Sequence, residues 1–252
     1  MDLQLTGRTA LVTGGTKGIG RAVVEGLAAE GARVAFCART DADVAKVEQE
    51  LQAAGHDVAG TAVDVADAEA LTAWVAASAE RFGGIDVVVA NVSALSIGPG
   101  PEHWQPSFEV DLMHTVRLVD AALPHLEASG VGSVIAVSSV SAREIDFASG
   151  AYGVMKAALV HYTSGLAVQH AGKVRANSVS PGNTYFEGGV WQSLENSDPE
   201  FFANTLRVNP TGRLATPEEI AYGIIMLASP RASFITGAHL VVDGALTRGV
   251  QL

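Results

Sequence analysis

The feature that most limits how this chain can fold is a rhythm of short apolar runs separated by longer segments of helical spacing. The runs are TALVT (9–13), RVAFCA (33–38), VAGTAV (58–63), DVVVAN (86–91), SVIAVSS (133–139), KVRANSVS (173–180) and AHLVVD (238–243). Most are rich in valine and apolar on both alternating faces, so they read as strands covered above and below. Between them lie GRAVVEGLAAEG, then DADVAKVEQELQAAG with Gly55 as its stop, then DAEALTAWVAASAERFG with Asp67 as its cap; these read as amphipathic helices. Strand and helix alternating throughout predicts an α/β chain, with one doubly wound, Rossmann-type parallel sheet of about seven strands and helices on both faces. No repeat, low-complexity tract or long linker divides it, so residues 1–252 are expected to form a single domain. The rhythm breaks at 183–212, where Tyr185, Phe186, Trp191, Phe201 and Phe202 stand among glycines and polar residues. A long aromatic loop reads as a substrate lid. The alternative is a helical excursion whose aromatics pack on their own domain or on another subunit.

Directly after the first run come Gly14, Gly15, Gly18 and Gly20. Glycine costs backbone entropy, so four in seven positions need a reason. In doubly wound sheets, ligands bind where strands end and helices begin, and a helix N-terminus favours an anion. The phosphate-loop pattern fails, because Arg21 and Ala22 follow Gly20, and G-x-G-x-x-G is absent too. What stands is T-G-x-x-x-G-I-G from Thr13 to Gly20, with Thr16, Lys17 and Ile19 inside it. After a strand and before a helix, this loop predicts a bound dinucleotide. An acid at the end of the second strand suits the 2′-hydroxyl of NAD, and a cation suits the 2′-phosphate of NADP. Here Ala38 is followed by Arg39, and Lys17 lies within reach. Two cations and no acid favour NADP(H) over NAD(H).

Tyr152 and Lys156 stand four apart in SGAYGVMKAALVHY, on one face of an expected helix. A phenol titrates near ~10, too high for a base at neutral pH. A neighbouring ammonium in a partly closed site stabilises the phenolate. Tyr152 then gives a proton to a carbonyl oxygen, or takes one from a hydroxyl. Ser139 ends the run SVIAVSS on the same rim as the glycine loop, where its hydroxyl hydrogen-bonds the substrate oxygen. Ser138 faces the other way and is expected to pack. No G-x-S-x-G elbow surrounds Ser139, which argues against a serine hydrolase. The seven histidines show no metal-like clustering, so no metal is expected.

The net charge of −11 gives no basic surface for nucleic acid. A single cysteine, Cys37, excludes an intrachain disulfide and fits a reducing compartment. The N-terminus lacks a basic start and an apolar core, and no stretch approaches the ~20 apolar residues of a membrane helix. A cytoplasmic protein acting on a small molecule is the expectation.

Taken together, these residues resemble the short-chain dehydrogenase/reductase family over essentially the whole chain. Thr13-Gly14-x-x-x-Gly18-Ile19-Gly20 is similar to the family's cofactor loop, and Asp64-Val65 to its adenine-contacting pair. Asn91 falls where the family has the second Asn of N-N-A-G, under the cofactor. Ser139, Tyr152 and Lys156 fall on its catalytic serine, tyrosine and lysine, with the lysine also binding the nicotinamide ribose. Pro181-Gly182 and Thr184 resemble the segment that holds the carboxamide, and Asp243-Gly244 the terminal D-G. The resemblance implies a homotetramer, built through the long helices, the one carrying Tyr152 included, and the C-terminus. Three departures stand out. ANVS (90–93) replaces N-N-A-G, P-G-N-T is short, and Asp111 takes the place of an Asn that supports a water leading to the lysine. Asp111 either holds a water or pairs directly with Lys156. The implied activity is interconversion of a ketone and a secondary alcohol. A 3-oxoacyl reductase acting on a carrier protein or coenzyme A thioester is one alternative; HLEASGVGSV (125–134), with Glu127 and no cation, disfavours the carrier. A non-catalytic nucleotide sensor is the other. Ile145, Phe147 and Trp191 suggest an apolar ketone, with Arg143, Glu144 and Asp146 solvated.

Overall fold

Each of the seven apolar runs forms a strand in the computed structural model, which describes residues 2–249. The chain runs β1 (Thr9–Thr13), α1 (Gly18–Ala29), β2 (Arg33–Ala38), α2 (Asp41–Ala53), β3 (Val58–Ala62), α3 (Ala68–Phe82) and β4 (Val87–Ala90). A short α4 (Trp104–Pro106) continues through a wider π-helical segment (Ser107–Met113) into α5 (His114–Ser129). Then come β5 (Gly132–Val137), α6 (Ala151–Gln169), β6 (Val174–Pro181), α7 (Val190–Ser197), α8 (Pro199–Val208), α9 (Pro217–Ala228) and β7 (His239–Val242).

The strands pair in the order β3-β2-β1-β4-β5-β6-β7, every pair parallel. Successive residues therefore feed opposite layers. Val12 and Phe36 pack with Val23, Leu27, Val44 and Ile224, under α1, α2 and α9. Leu11 and Cys37 pack on the other face with Leu71, Trp74, Leu118 and Leu166, under α3, α5 and α6. The strand order reverses between β1 and β4, so a crevice opens at their carboxyl ends, where the glycine loop stands.

Local chemistry sets the helix ends. The Asp67 carboxylate accepts hydrogen bonds from the amides of Glu69 and Ala70, both at 3.0 Å, and starts α3 as expected. Within 183–212, Asp198 accepts from the Phe201 amide at 3.1 Å and starts α8 with Pro199 at its first turn. Much of the segment is thus the helical excursion. Its aromatics pack on their own chain: Trp191 stacks on Phe201 at 6.2 Å, and Phe147 meets the two rings edge-on at 6.0 and 5.6 Å.

Candidate active site

The turn after β1 folds back on β2. The amides of Gly14 and Gly15 both donate to the Cys37 carbonyl, at 2.8 and 3.1 Å. Gly14 has φ +72°, in the left-handed region that glycine adopts freely. At Gly20 a Cβ would lie 2.1 Å from the Gly14 carbonyl oxygen, so only glycine fits there. Asn91, just past β4, clamps the turn: its side-chain amide donates to Thr13 O at 3.0 Å, and its backbone amide to Thr13 Oγ1 at 3.0 Å. No side chain caps the start of α1, so its first amides face outward as an anion site. Beside them a cavity of about 370 Å³ runs along the rim, from Lys17 and Arg39 by β2 to Ser139, Tyr152 and Thr184 by β5 and β6. An open helix terminus, a cradle a Cβ would fill and two cations fit a dinucleotide.

Lys156 is placed by α6 and is buried. Its ammonium donates to the Val137 carbonyl at 3.1 Å, lies 3.3 Å from Asp111 Oδ1 and sits 5.6 Å from the centre of the Tyr152 ring. The side chains of Lys156 and Asp111 are 2% and 0% exposed. An ammonium so far from water needs a counter-charge, and the aspartate supplies it directly. Ser138, which also lines the cavity, donates its hydroxyl to Lys156 O at 2.8 Å and pins α6 to β5. Ser139 Oγ accepts from the Ser141 amide at 3.2 Å. Its carbonyl accepts from Ser180 Oγ at 2.9 Å, and Ser180 Oγ in turn lies 2.7 Å from His239 Nε2. Because the Ser180 hydroxyl donates to Ser139 O, its oxygen accepts a hydrogen bond from His239 in the tautomer that carries the proton on Nε2.

Burial pushes the Tyr152 phenol upward. The Lys156 ammonium and the Ser139 hydroxyl pull it down, while the charges of Asp111 and Asp146 push it up again. The balance lies above the ordinary phenol value. The expectation of a lowered phenol is therefore corrected for the protein by itself: desolvation outweighs the ammonium, which Asp111 partly neutralises.

A family model described as enoyl-(acyl carrier protein) reductase matches residues 14–247. Dehydrogenase/reductase SDR family member 4 of Sus scrofa is 35% identical, covering 95% of this chain and 87% of its own. This chain belongs to the short-chain dehydrogenase/reductase family. Isoepoxydon dehydrogenase patN of Penicillium expansum is 39% identical over 98% of this chain and 97% of its own. The crystal structure of L-sorbose reductase from Gluconobacter frateurii, complexed with NADPH and L-sorbose, matches with a TM-score of 0.91 at 30% identity, covering 99% of this chain and all of that one. The protein is an oxidoreductase of the short-chain type.

Most of the residues singled out in the sequence meet at this one cavity. Gly14, Thr16, Lys17, Ile19, Gly20, Arg39, Val65, Asn91, Ser139, Tyr152, Lys156, Pro181, Gly182 and Thr184 all line it. Three lie outside the lining. Gly18 has φ +55° and is covered by the Phe186 ring, which a Cβ would meet at 2.6 Å. The Asp64 carboxylate turns back onto the Ala66 amide at 3.0 Å. Asp111 stands behind Lys156, paired with its ammonium. Two expectations about the substrate side are corrected. Ile145 is 93% exposed and is not part of this cavity's lining. Asp146 is not simply solvated but lines the cavity, held by Ser141 Oγ at 2.7 Å and the Ala148 amide at 2.9 Å. Ser141 and Leu95 line it too and carried no signal, because a short irregular loop shows no period from which to read a facing side.

Proposed function

We propose that this protein is an NADP(H)-dependent oxidoreductase interconverting a ketone and a secondary alcohol. The observation that carries this reading is that Ser139 and Tyr152 share one cavity with the glycine loop. A nicotinamide cofactor bound there supplies or accepts the hydride. Ser139 donates a hydrogen bond to the substrate oxygen. Tyr152 delivers the proton to that oxygen in reduction and removes it in oxidation; its raised phenol keeps the proton in place for the reductive direction. Lys156 holds the positive charge that stabilises the phenolate left behind. Val137 O and Asp111 fix that ammonium beneath the Tyr152 ring.

Lys17 and Arg39 line the β2 end and suit a 2′-phosphate, and the L-sorbose reductase relative was crystallised with NADPH. Hydrogen bonds to charged groups give roughly 10- to 100-fold. NADPH is thus expected to bind at least ten times more tightly than NADH in a fluorescence titration; equal affinities remove the preference for the phosphorylated cofactor. A panel of ketones with NADPH, followed by absorbance of the reduced nicotinamide, tests the activity. Tyr152→Phe should lower turnover by about 10²- to 10⁴-fold while NADPH binding stays. A nucleotide-sensing role is favoured by one observation, the direct Asp111–Lys156 pair, and it gains if no carbonyl is turned over.

A further inference from the structure

Two acids line the main cavity, and they sit at different ends. Asp43 stands at the start of α2, with Lys17 and Arg39. Asp146 stands at the substrate end. The Ser141 amide donates to Ser139 Oγ, and the Ser141 hydroxyl donates to Asp146 Oδ2 at 2.7 Å, so one serine links the carboxylate to the reacting centre. The other carboxylate oxygen accepts from the Ala148 amide at 2.9 Å. Among the described residues no cation pairs with it; Arg143, three positions away, turns to Glu144 at 3.5 Å. A half-buried carboxylate held by two neutral donors keeps further lone pairs open to the cavity. A second cavity of about 320 Å³ shares Asp146, Phe147, Asn183 and Trp191 with the first. Asp146 therefore stands in the wall between two spaces that a substrate larger than its carbonyl can fill.

We propose that Asp146 binds a hydroxyl group carried by the substrate near its carbonyl, so that hydroxylated ketones are preferred to plain ones. Beside Asp146 this wall presents the rings of Phe147 and Trp191 and the side-chain amide of Asn183, and Asp146 is its charged group. A carboxylate in place of the hydroxyl would meet the charge of Asp146 itself, whereas a hydroxyl donates to its open lone pairs.

This inference rests on the ketone-reducing reading, and the test separates the two. Cyclohexanone and 2-hydroxycyclohexanone are compared as substrates with NADPH in the wild type, Asp146→Asn and Asp146→Ala. The wild type should favour the hydroxyketone by about tenfold or more in kcat/KM, as expected for a hydrogen bond to a charged group. That advantage, read as the ratio of kcat/KM for the two ketones in the same variant so that any change common to both cancels, should fall to within twofold in both variants. A wild type with no preference overturns the proposal whatever the variants do. So does an equal fall for both ketones, which marks a merely structural role. Binding of each ketone is also followed by quenching of tryptophan fluorescence, since Trp191 lies in the wall. If neither ketone is turned over, the reductase reading fails, while tighter binding of the hydroxyketone that is lost in Asp146→Asn still supports Asp146 as its partner, and equal binding overturns it.

Discussion

An ammonium 2% exposed beside a carboxylate 0% exposed concentrates a large interaction in one pair, Lys156 and Asp111. Removing one partner of such a pair leaves an uncompensated buried charge, which costs about 3–5 kcal/mol. Asp111→Ala should lose stability of that order in chemical denaturation; a loss below about 1 kcal/mol would show that water reaches the ammonium. Asp111→Asn tests chemistry instead. The aspartate charge holds the Tyr152 phenol up, so its removal should move the acidic limb of kcat/KM for alcohol oxidation, where activity rises as the phenol loses its proton, to lower pH. An unmoved limb would mean that Asp111 does not govern the phenol. His114, one turn further on, adds a stability effect. Its Nδ1 lies 3.2 Å from Val110 O, it is buried, and desolvation lowers its pKa from 6.5 to about 3. Above pH 6.5 the imidazole is neutral both folded and unfolded. As pH falls below that, only the unfolded chain takes up the proton, so folding weakens progressively down to about pH 3. At pH 5 this costs about 2 kcal/mol. His114→Asn keeps a donor for Val110 O but does not titrate. Between pH 7 and 5 the wild type should lose about 2 kcal/mol more than the variant, and parallel losses would locate the acid sensitivity elsewhere.

Elements were legible where one layer of physics decided them. Strands such as β1 and β5 are buried on both faces, so an unbroken apolar run was enough to place them. At 183–212 the helix signal was present in Asp198-Pro199-Glu200, and Phe186 and Trp191 of the same segment line the cavity. The π-helical stretch Ser107–Met113 could not be read, because FEVDLMHT continues a helical pattern and only tertiary contact shows the extra residue per turn. That stretch carries Asp111, so the ion pair with Lys156 stood in the sequence only as one of two options. The glycine loop makes a sharper prediction. In Gly20→Ala the new methyl meets the Gly14 carbonyl oxygen at 2.1 Å and Asn91 Nδ2 at 2.5 Å, both parts of the turn that faces the nucleotide. The variant should lose about 1–3 kcal/mol, the usual cost of overpacking, and bind NADPH more than tenfold more weakly. Gly165→Ala in α6, where a Cβ meets nothing within 4 Å, is the control and should be neutral or gain up to about 1 kcal/mol. Equal behaviour of the two variants would remove the steric reading of the loop.

Exposed apolar side chains among the described residues include two groups on outer elements of the fold. On α6, the helix that carries Tyr152 and Lys156, Val154 and Val168 face outward. Around α9 and the outermost strand, Tyr222, Phe234 and Ile235 do the same, and β7 has a neighbour on one side only. An open strand edge and exposed aromatics are a liability in a lone chain and an asset in an interface. Two different patches, each meeting its own copy across a two-fold axis, generate a tetramer with three such axes. The C-terminal residues 250–252, named with the long helices as a site of assembly, lie outside the described structure. Light scattering after size exclusion should give about 104 kDa, four chains of 26.0 kDa. Val168→Asp should interrupt the α6 contact and Tyr222→Asp the other, each leaving a dimer of about half that mass. Because α6 carries the tyrosine and lysine, the Val168 variant should also lose turnover as it dissociates, and the Tyr222 variant should lose less. A wild type that stays monomeric at micromolar concentration would show that these side chains are simply exposed, and that α6 holds Tyr152 in place without a partner.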